Sequence, residues 1–533
     1  MRPVIRFAAS LAAAMLASAG AAEAQKSHLR IAMTAADVPT TTGMPNNGAE
    51  GMRFAGYPVF EPLVDWDLFN AVDKRAGFRP ALATQWAVEP ENPTRWVFKL
   101  REGVKFHDGT DFNADVVLWN LSRLYDDKSP QFEAAASGIA RSRAPQLVKW
   151  EKTDDFTVVL TTTRPLSFFP MLMAWIPFVS PTAWEKAGRN WNEFAKAPVG
   201  TGPFRITKVN PRVSIEMEKF PGHWNPQRIA KSDKVTLFPM PEANTRLAAL
   251  RSGQVDWIEV PPPDAIPSLK QAGYKVTTKI YPHIWPWVFS FQDDSPFKDK
   301  RVRYAANYAV DREGLVKLLN GTALPATGFV TDTDAQYGKP KVKFGYDPEK
   351  AKALLKEAGY DEKNPAKIKV MISTSGSGQM MPIPMNELIQ QNLEAVGFKV
   401  EYDVVEWGTM LLGFRQPPDS AINKGRHAMN ISLSWTDPSV WFRFFHSEAA
   451  TPTSSNWAHW KNAEFDAILD KVATTYDPVE QEMLLAKAHE ILVEESPWLW
   501  IVHDLNPRAF SAKVQGYVPQ QSWMQDFTQV VVK

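Results

Sequence analysis

Short alternating runs and amphipathic helical stretches take turns along most of the chain. Leu29-Arg30-Ile31-Ala32-Met33 alternates and predicts an opening strand. The stretch from Thr34 to Arg53 has no such period and is rich in Thr, Gly, Asn and Pro. It predicts a long loop, of a length that often serves a function. Trp96, Phe98 and Leu100 then alternate through a half-buried strand, and Glu102-Gly103 and Asp108-Gly109 predict turns. Asn113 follows as the cap of a helix carrying Val116, Val117, Leu121 and Leu124 at helical spacing. A helix closing over 246–253 leads to the buried strand Val255-Asp256-Trp257-Ile258.

The clearest helix starts are Asp347-Pro348 and Asp477-Pro478, each an N-cap followed by proline at the first helical position. Ala351, Leu354, Leu355 and Ala358 share one face of the first of these helices, and Gly359 stops it. A helix ends in glycine plus an aromatic at Gly273-Tyr274, Gly359-Tyr360 and Gly397-Phe398, with alternating segments following at 275–280, 367–372 and 399–405. Helix, glycine stop, strand is the grammar of an α/β protein. The irregular spacing excludes a solenoid.

The N-terminus departs from this pattern. Arg2 and Arg6 precede an Ala-rich apolar run over 7–19, and small residues end at Ala22-Glu23-Ala24. That order predicts a secretory signal peptide over 1–24, cleaved near Ala24, because the run is shorter than the ~20 residues that span a bilayer. With 0 cysteines there are no disulfides, thiolate metal sites, cysteine nucleophile or lipid-attachment cysteine. The expected address is therefore the periplasm, as an unanchored protein. At 533 residues the chain outgrows one core and predicts two or three domains. Lys+Arg of 60 against Asp+Glu of 59 gives no electrostatic case for nucleic acid or an anionic membrane. The 20 Trp, 12 Tyr and 30 Phe fit either a large core or an aromatic-lined cleft.

Catalytic motifs are missing. No G-x-S-x-G elbow occurs, since Ser375-Gly376-Ser377-Gly378 has the wrong spacing. His489-Glu490 opens like a zincin helix, but Val493 stands where the second histidine belongs. The 9 histidines are scattered, and Walker, dinucleotide and calcium loops are absent. The expectation is a protein that is not an enzyme, with no catalytic residues, no cofactor and no metal.

Several segments together resemble the family 5 extracellular solute-binding proteins of ABC transporters, which include dipeptide-, oligopeptide- and nickel-binding proteins. The most specific runs from Trp96-Val97-Phe98-Lys99-Leu100-Arg101-Glu102-Gly103-Val104-Lys105-Phe106-His107-Asp108-Gly109 to Phe112-Asn113-Ala114-Asp115-Val116-Val117. Ala197-Pro198-Val199-Gly200-Thr201-Gly202-Pro203-Phe204, the stretch from Arg246 to Asp256, and Pro296-Phe297 through Asp311-Arg312 add to it. The resemblance implies a type II periplasmic binding protein of the large, three-domain form, with two lobes and a hinge. Domain I would comprise 25–56, 200–278 and 505–533; domain II, 57–199; domain III, 279–504. Ligand would lie between domains I and III, which close by hinge motion. The implied partner is an inner-membrane ABC permease, and a monomer is expected.

Candidate ligand contacts follow from this resemblance and from local sequence. In peptide-binding relatives an aspartate in a W-x-D-P-like segment pairs with the substrate's α-ammonium. Ser434-Trp435-Thr436-Asp437-Pro438 resembles it, so Asp437 either takes that role, with Trp435 alongside, or caps the following helix. Trp285 and Trp287 share a face if extended, either core or cleft. Trp407, Trp441, Asn46, Asn47 and Arg53 complete the candidates. Dipeptide-binding relatives also carry an arginine for the peptide carboxylate near Pro384-Met385-Asn386, whereas 370–398 here contains no Lys or Arg. Strict dipeptide specificity is disfavoured. The leading expectation is capture of a short peptide or peptide-like, amine-bearing solute for uptake. An oligosaccharide, chelated nickel, or a secreted hydrolase are the alternatives.

Overall fold

The alternation over 29–33 becomes the strand His28–Met33, with Leu29, Ile31 and Met33 fully buried. It lies inside a seven-stranded mixed sheet, parallel to both neighbours, Lys234–Pro239 and Trp257–Glu259. Ser214–Lys219 and Phe204–Asn210 extend one side, and Arg508–Phe510 and Lys275–Thr277 the other. The sheet thus draws its strands from the beginning, middle and end of the chain. The computed structural model describes residues 27–46, 48–72 and 74–533; the predicted signal peptide and Asn47 lie outside them.

A second seven-stranded sheet has Trp498–Asp504 and His283–Phe289 at its centre. Ala428–Asn430, Ala366–Ser373 and Phe398–Val405 continue one side and Ala323–Pro325 closes the other. Ala366–Ser373 and Phe398–Val405 are parallel, joined by the helix Pro382–Glu394. The strand predicted over 429–433 is instead two pieces, Ala428–Asn430 and Leu433–Ser434, both paired with His283–Phe289. Pro286 sits opposite the break and has no N–H to give the ladder. The side chain of Asn430 donates to the Pro286 carbonyl at 3.0 Å instead.

A third, antiparallel sheet of four strands orders Ala83–Glu89, Asn92–Leu100, Thr157–Thr162 and Leu147–Asp154. The helix Ala114–Tyr125 packs on it, capped as predicted by Asn113, whose Oδ1 accepts from Val116 N at 3.1 Å. The mixed α/β composition expected from the sequence is therefore observed.

Two chain crossings join the first sheet to the second, one between Lys275–Thr277 and His283–Phe289 and one between Trp498–Asp504 and Arg508–Phe510. Tyr281 and Asp504 tie them together, the phenol donating to Oδ2 at 2.9 Å. Burial pushes the Asp504 carboxyl up to about 6 against the opposing effect of the Asn506 N–H and Tyr281. A further close passage explains the two glycines of the 197–204 segment. A Cβ on Gly200 would lie 2.1 Å from the Val59 carbonyl oxygen, and one on Gly202 2.4 Å from that of Pro58. The loop predicted over 34–53 is irregular at first but closes in the short helical turns Gly48–Gly51 and Met52–Gly56, which bury Arg53 and Phe54. No helix among the described residues is long and apolar enough to cross a membrane.

Candidate ligand-binding cavity

Asp437 begins the helix Pro438–Phe445, with proline in its first turn. Its Oδ1 accepts from Ser439 N at 2.9 Å and from the Ser439 hydroxyl, and its Oδ2 from Thr436 Oγ1 at 2.9 Å. Of the two roles open to it in the sequence, the cap is the one the geometry displays. Both carboxylate oxygens are engaged, and the side chain is buried.

The same helix projects Phe442 and Arg443 into a cavity of about 250 Å³ that Arg143, Phe168, Leu172 and Ser439 also line. Arg143 is the last residue of the helix Ala134–Arg143, on the four-stranded unit, and its guanidinium stacks on Trp175 at 4.0 Å. Phe168 and Phe442 pack at 5.1 Å and supply an apolar wall. Arg443 donates through Nε to Ser455 Oγ at 3.0 Å. Arg415, just beyond the helix Trp407–Phe414, is close enough to act on both charges. Among the described residues none of these three arginines has an ion pair. Loss of water pulls Arg143 down to about 10, with Asp437 opposing and Arg415 adding. Arg443 falls well below the ordinary arginine range, through burial first and then through Arg143 and Arg415. Guanidinium groups without an ion pair, beside aromatic faces, are suited to an anionic group on a partly apolar molecule, with Asp437 acting on both Arg143 and Arg443 and Glu448 at the cavity's edge.

The other sequence candidates lie apart from this cavity. Trp285 and Trp287 do face one side: their indole N–H groups donate to Gln379 Oε1 at 3.0 Å and Asn386 Oδ1 at 2.8 Å, and both rings are fully buried core. Trp441 is also core, edge-on to Phe329 at 4.9 Å. Trp435 packs against His503 at 4.8 Å and borders a separate, polar cavity with Arg75 and Asp334. Trp407 is half-buried over Gly376, where a Cβ would come within 2.4 Å of its ring. Asn46 is exposed and accepts from Thr40 N at 3.0 Å. Arg53 is buried in an ion pair with Glu259, which Arg508 also meets at 2.7 Å. Arg143, Arg415 and Arg443 escaped the sequence reading, which sought a carboxylate clamp only over 370–398. The one local hint is Arg443 on the helix that Asp437 starts.

Comparison with known proteins agrees with this architecture. Residues 77–481 match the model of the bacterial extracellular solute-binding proteins, family 5 Middle. The glutathione-binding proteins GsiB of Shigella flexneri and Escherichia coli strain K12 are each 31% identical over 459 residues, covering 84% of both chains. A dipeptide binding protein from Pseudoalteromonas sp. SM9913, solved in complex with Met-Leu, superimposes with a TM-score of 0.82 at 24% identity over 95% of this chain and 100% of that one. DppA from Helicobacter pylori, in complex with the peptide STSA, gives 0.80 at 24% identity over 95% and 98%.

Proposed function

The chain belongs to family 5 of the bacterial extracellular solute-binding proteins, periplasmic binding components of ABC transporters, and we propose that it captures a carboxylate-bearing, peptide-like solute in the cavity lined by Arg143 and Arg443. Its family consists of substrate-binding proteins that deliver small ligands to a permease. The observation that carries the finer reading is the set of unpaired arginines beside Phe168 and Phe442. A guanidinium binds a carboxylate through two parallel N–H bonds, so Arg443 and Arg143 offer the clamp missing from 370–398. The domain division 25–56, 200–278 and 505–533, then 57–199 and 279–504, is part of the same reading, as is a monomeric state; on that division the cavity lies between domains II and III, not between I and III where the resemblance put the ligand. Strands from three parts of the chain in one sheet support the discontinuous first domain. The oligosaccharide alternative loses its main argument, because Trp285, Trp287 and Trp441 are spent on the core. The amine-recognition role of Asp437 weakens likewise, since three donors already occupy its oxygens.

Mass spectrometry of solute released on denaturing the purified protein, followed by calorimetry with that compound and with glutathione, tests the proposal. Arg443→Gln is expected to weaken binding by about 2–5 kcal/mol, the scale of losing one partner of a buried charge pair. Full affinity in both Arg443→Gln and Arg143→Gln would move the solute out of this cavity.

A further inference from the structure

We propose that Arg164 and Ser167 form a latch across the mouth of the cavity, a reversible contact between its two walls whose opening admits the solute and whose strength sets how long the solute stays. What passes the latch rests on the cavity reading above; the opening itself does not.

The two residues lie in the short connection between the strand Thr157–Thr162 and the helical turn Phe169–Leu172, on the unit built on the four-stranded sheet. Arg164 reaches across to the other wall. Its Nη1 meets Asp470 at 2.7 Å and Glu448 at 3.7 Å, and its guanidinium lies 5.3 Å over the Phe442 ring. Ser167 donates its N–H to the Ala473 carbonyl at 2.6 Å and its hydroxyl to that of Val472 at 2.9 Å, and it accepts from Gln481 Nε2 at 2.8 Å. Asp470, Val472 and Ala473 all lie at the C-terminal end of the helix Ala463–Thr474. The last carbonyls of a helix have no partner in its own ladder, and the negative end of its dipole favours a cation. The connection supplies both, donors from Ser167 and charge from Arg164.

Three features make this contact a latch and not a permanent tie. The Arg164 pair is partly exposed and Glu448 is open to solvent, so water and salt compete for it. The Val472 and Ala473 carbonyls sit at a helix end, where water can replace Ser167. The connection is also stiff, because Pro165 follows Arg164 and Thr162 Oγ1 donates to the Arg164 carbonyl at 2.7 Å; it moves with its own sheet. Position ties the latch to the cavity. Ser167 directly precedes Phe168, whose ring packs on Phe442 at 5.1 Å, and Arg164 lines the mouth together with Glu448. When the latch contacts part, the two aromatic walls part with them. On the opposite rim Ser454 Oγ reaches the Ser142 carbonyl only at 3.5 Å, so the Arg164 side is the better fastened of the two. Farther along, Arg75 meets Asp334 at 3.2 Å and Glu482 at 3.6 Å, again in partly exposed pairs. Arg143 and Arg443 stand on opposite walls, so a solute held by both adds to closure.

The chain has 0 cysteines, so a single introduced thiol is a clean reporter. Ser454 is a buried residue of the cavity wall, and in Ser454→Cys the rate of labelling by iodoacetamide, a small neutral reagent, measures how often the cavity opens. Adding Arg164→Gln is expected to raise that rate at least ~3-fold, the scale of one exposed ion pair. Sodium chloride at about 1 M should raise it in Ser454→Cys and have little effect once Arg164 is replaced. Hydrogen exchange provides a second measure: amides over 164–168 should exchange faster in Arg164→Gln, and those of the strand Thr157–Thr162 should not. As a control, Ser232, fully buried next to the strand Lys234–Pro239, is replaced in Ser232→Cys, which should label no faster with Arg164→Gln than without it. Unchanged labelling of Ser454→Cys together with unchanged exchange over 164–168 would overturn the latch. Equal acceleration in Ser232→Cys would overturn it too, since that marks general loosening of the protein. None of these readouts needs a solute. Full affinity in Arg443→Gln and Arg143→Gln would remove the cavity reading and leave the latch, whereas a failed latch would leave any affinity lost in those two variants.

Discussion

Replacing Glu259 by leucine should break the tie that holds three distant parts of the chain together. Its carboxylate takes Arg53 from the early helical turns, Arg508 at 2.7 Å from the C-terminal strand, and Trp257 Nε1 at 2.8 Å from its own strand. Glu259 is 1% exposed, Arg53 3% and Arg508 2%, so no water can replace the lost partner. Removing one member of such a buried pair costs roughly 3–5 kcal/mol, because the remaining charges stay buried without compensation. At about 2–4 °C per kcal/mol for a large domain, melting should fall by roughly 6–20 °C. Scanning calorimetry of the purified protein reads this, and the loss should appear in the transition of the first sheet. The triple variant Arg53→Leu/Glu259→Leu/Arg508→Leu should recover much of it, since a whole buried ionic cluster is often replaceable by apolar side chains at little net cost. A single variant that loses less than about 1 kcal/mol, or a triple variant no better than the single one, would refute the reasoning. Burial alone would raise the Glu259 carboxyl, but Arg508 and Arg53 outweigh it and hold it below the usual range. Its contribution is therefore present above the ordinary glutamate pKa and lost as pH falls.

Three further outcomes are expected. Gly202→Ala drives a Cβ to 2.4 Å from the Pro58 carbonyl oxygen and should cost more than about 2 kcal/mol in urea unfolding, because backbone and not a flexible side chain must yield. Asp437→Ala should lose about 0.5–2 kcal/mol of thermal stability with the helix cap, whereas Asp437→Asn should keep most of it; equal melting of wild type and Asp437→Ala would deny the cap its role. Asp504→Asn should be more stable than wild type at pH 8. The folded carboxyl titrates at about 6, above its unfolded value, so the ionised form is the one that folding disfavours. The advantage should fade as pH falls through 6 towards 4, and denaturant titrations at three pH values would expose a flat difference if the burial argument fails.

Much of the local structure was legible because its causes lie within a few residues. Asn113, Asp347 and Asp477 each cap a helix by accepting from an N–H two or three positions on. Gly273, Gly359 and Gly397 stop helices because they adopt φ of 84°, 92° and 115°, where other residues are strained. The family motifs were legible for a related reason: they are turns, caps and close passages, such as Gly200 and Gly202 against residues 58–59, that demand particular residue types. Burial and charge proximity follow no such rule. Parity put Trp285 and Trp287 on one face, but only the helix Pro382–Glu394 and the segment before it, laid over that face, made it core rather than cleft. Arg53 looked like a loop residue reaching for solute, and Glu259, some two hundred positions away, claimed it. Arg143, Arg415 and Arg443 share no period, motif or neighbourhood in the chain. The cavity that Arg143 and Arg443 line, and the effect of Arg143 and Arg415 on Arg443, are properties of space, created when helices from two units of the structure meet.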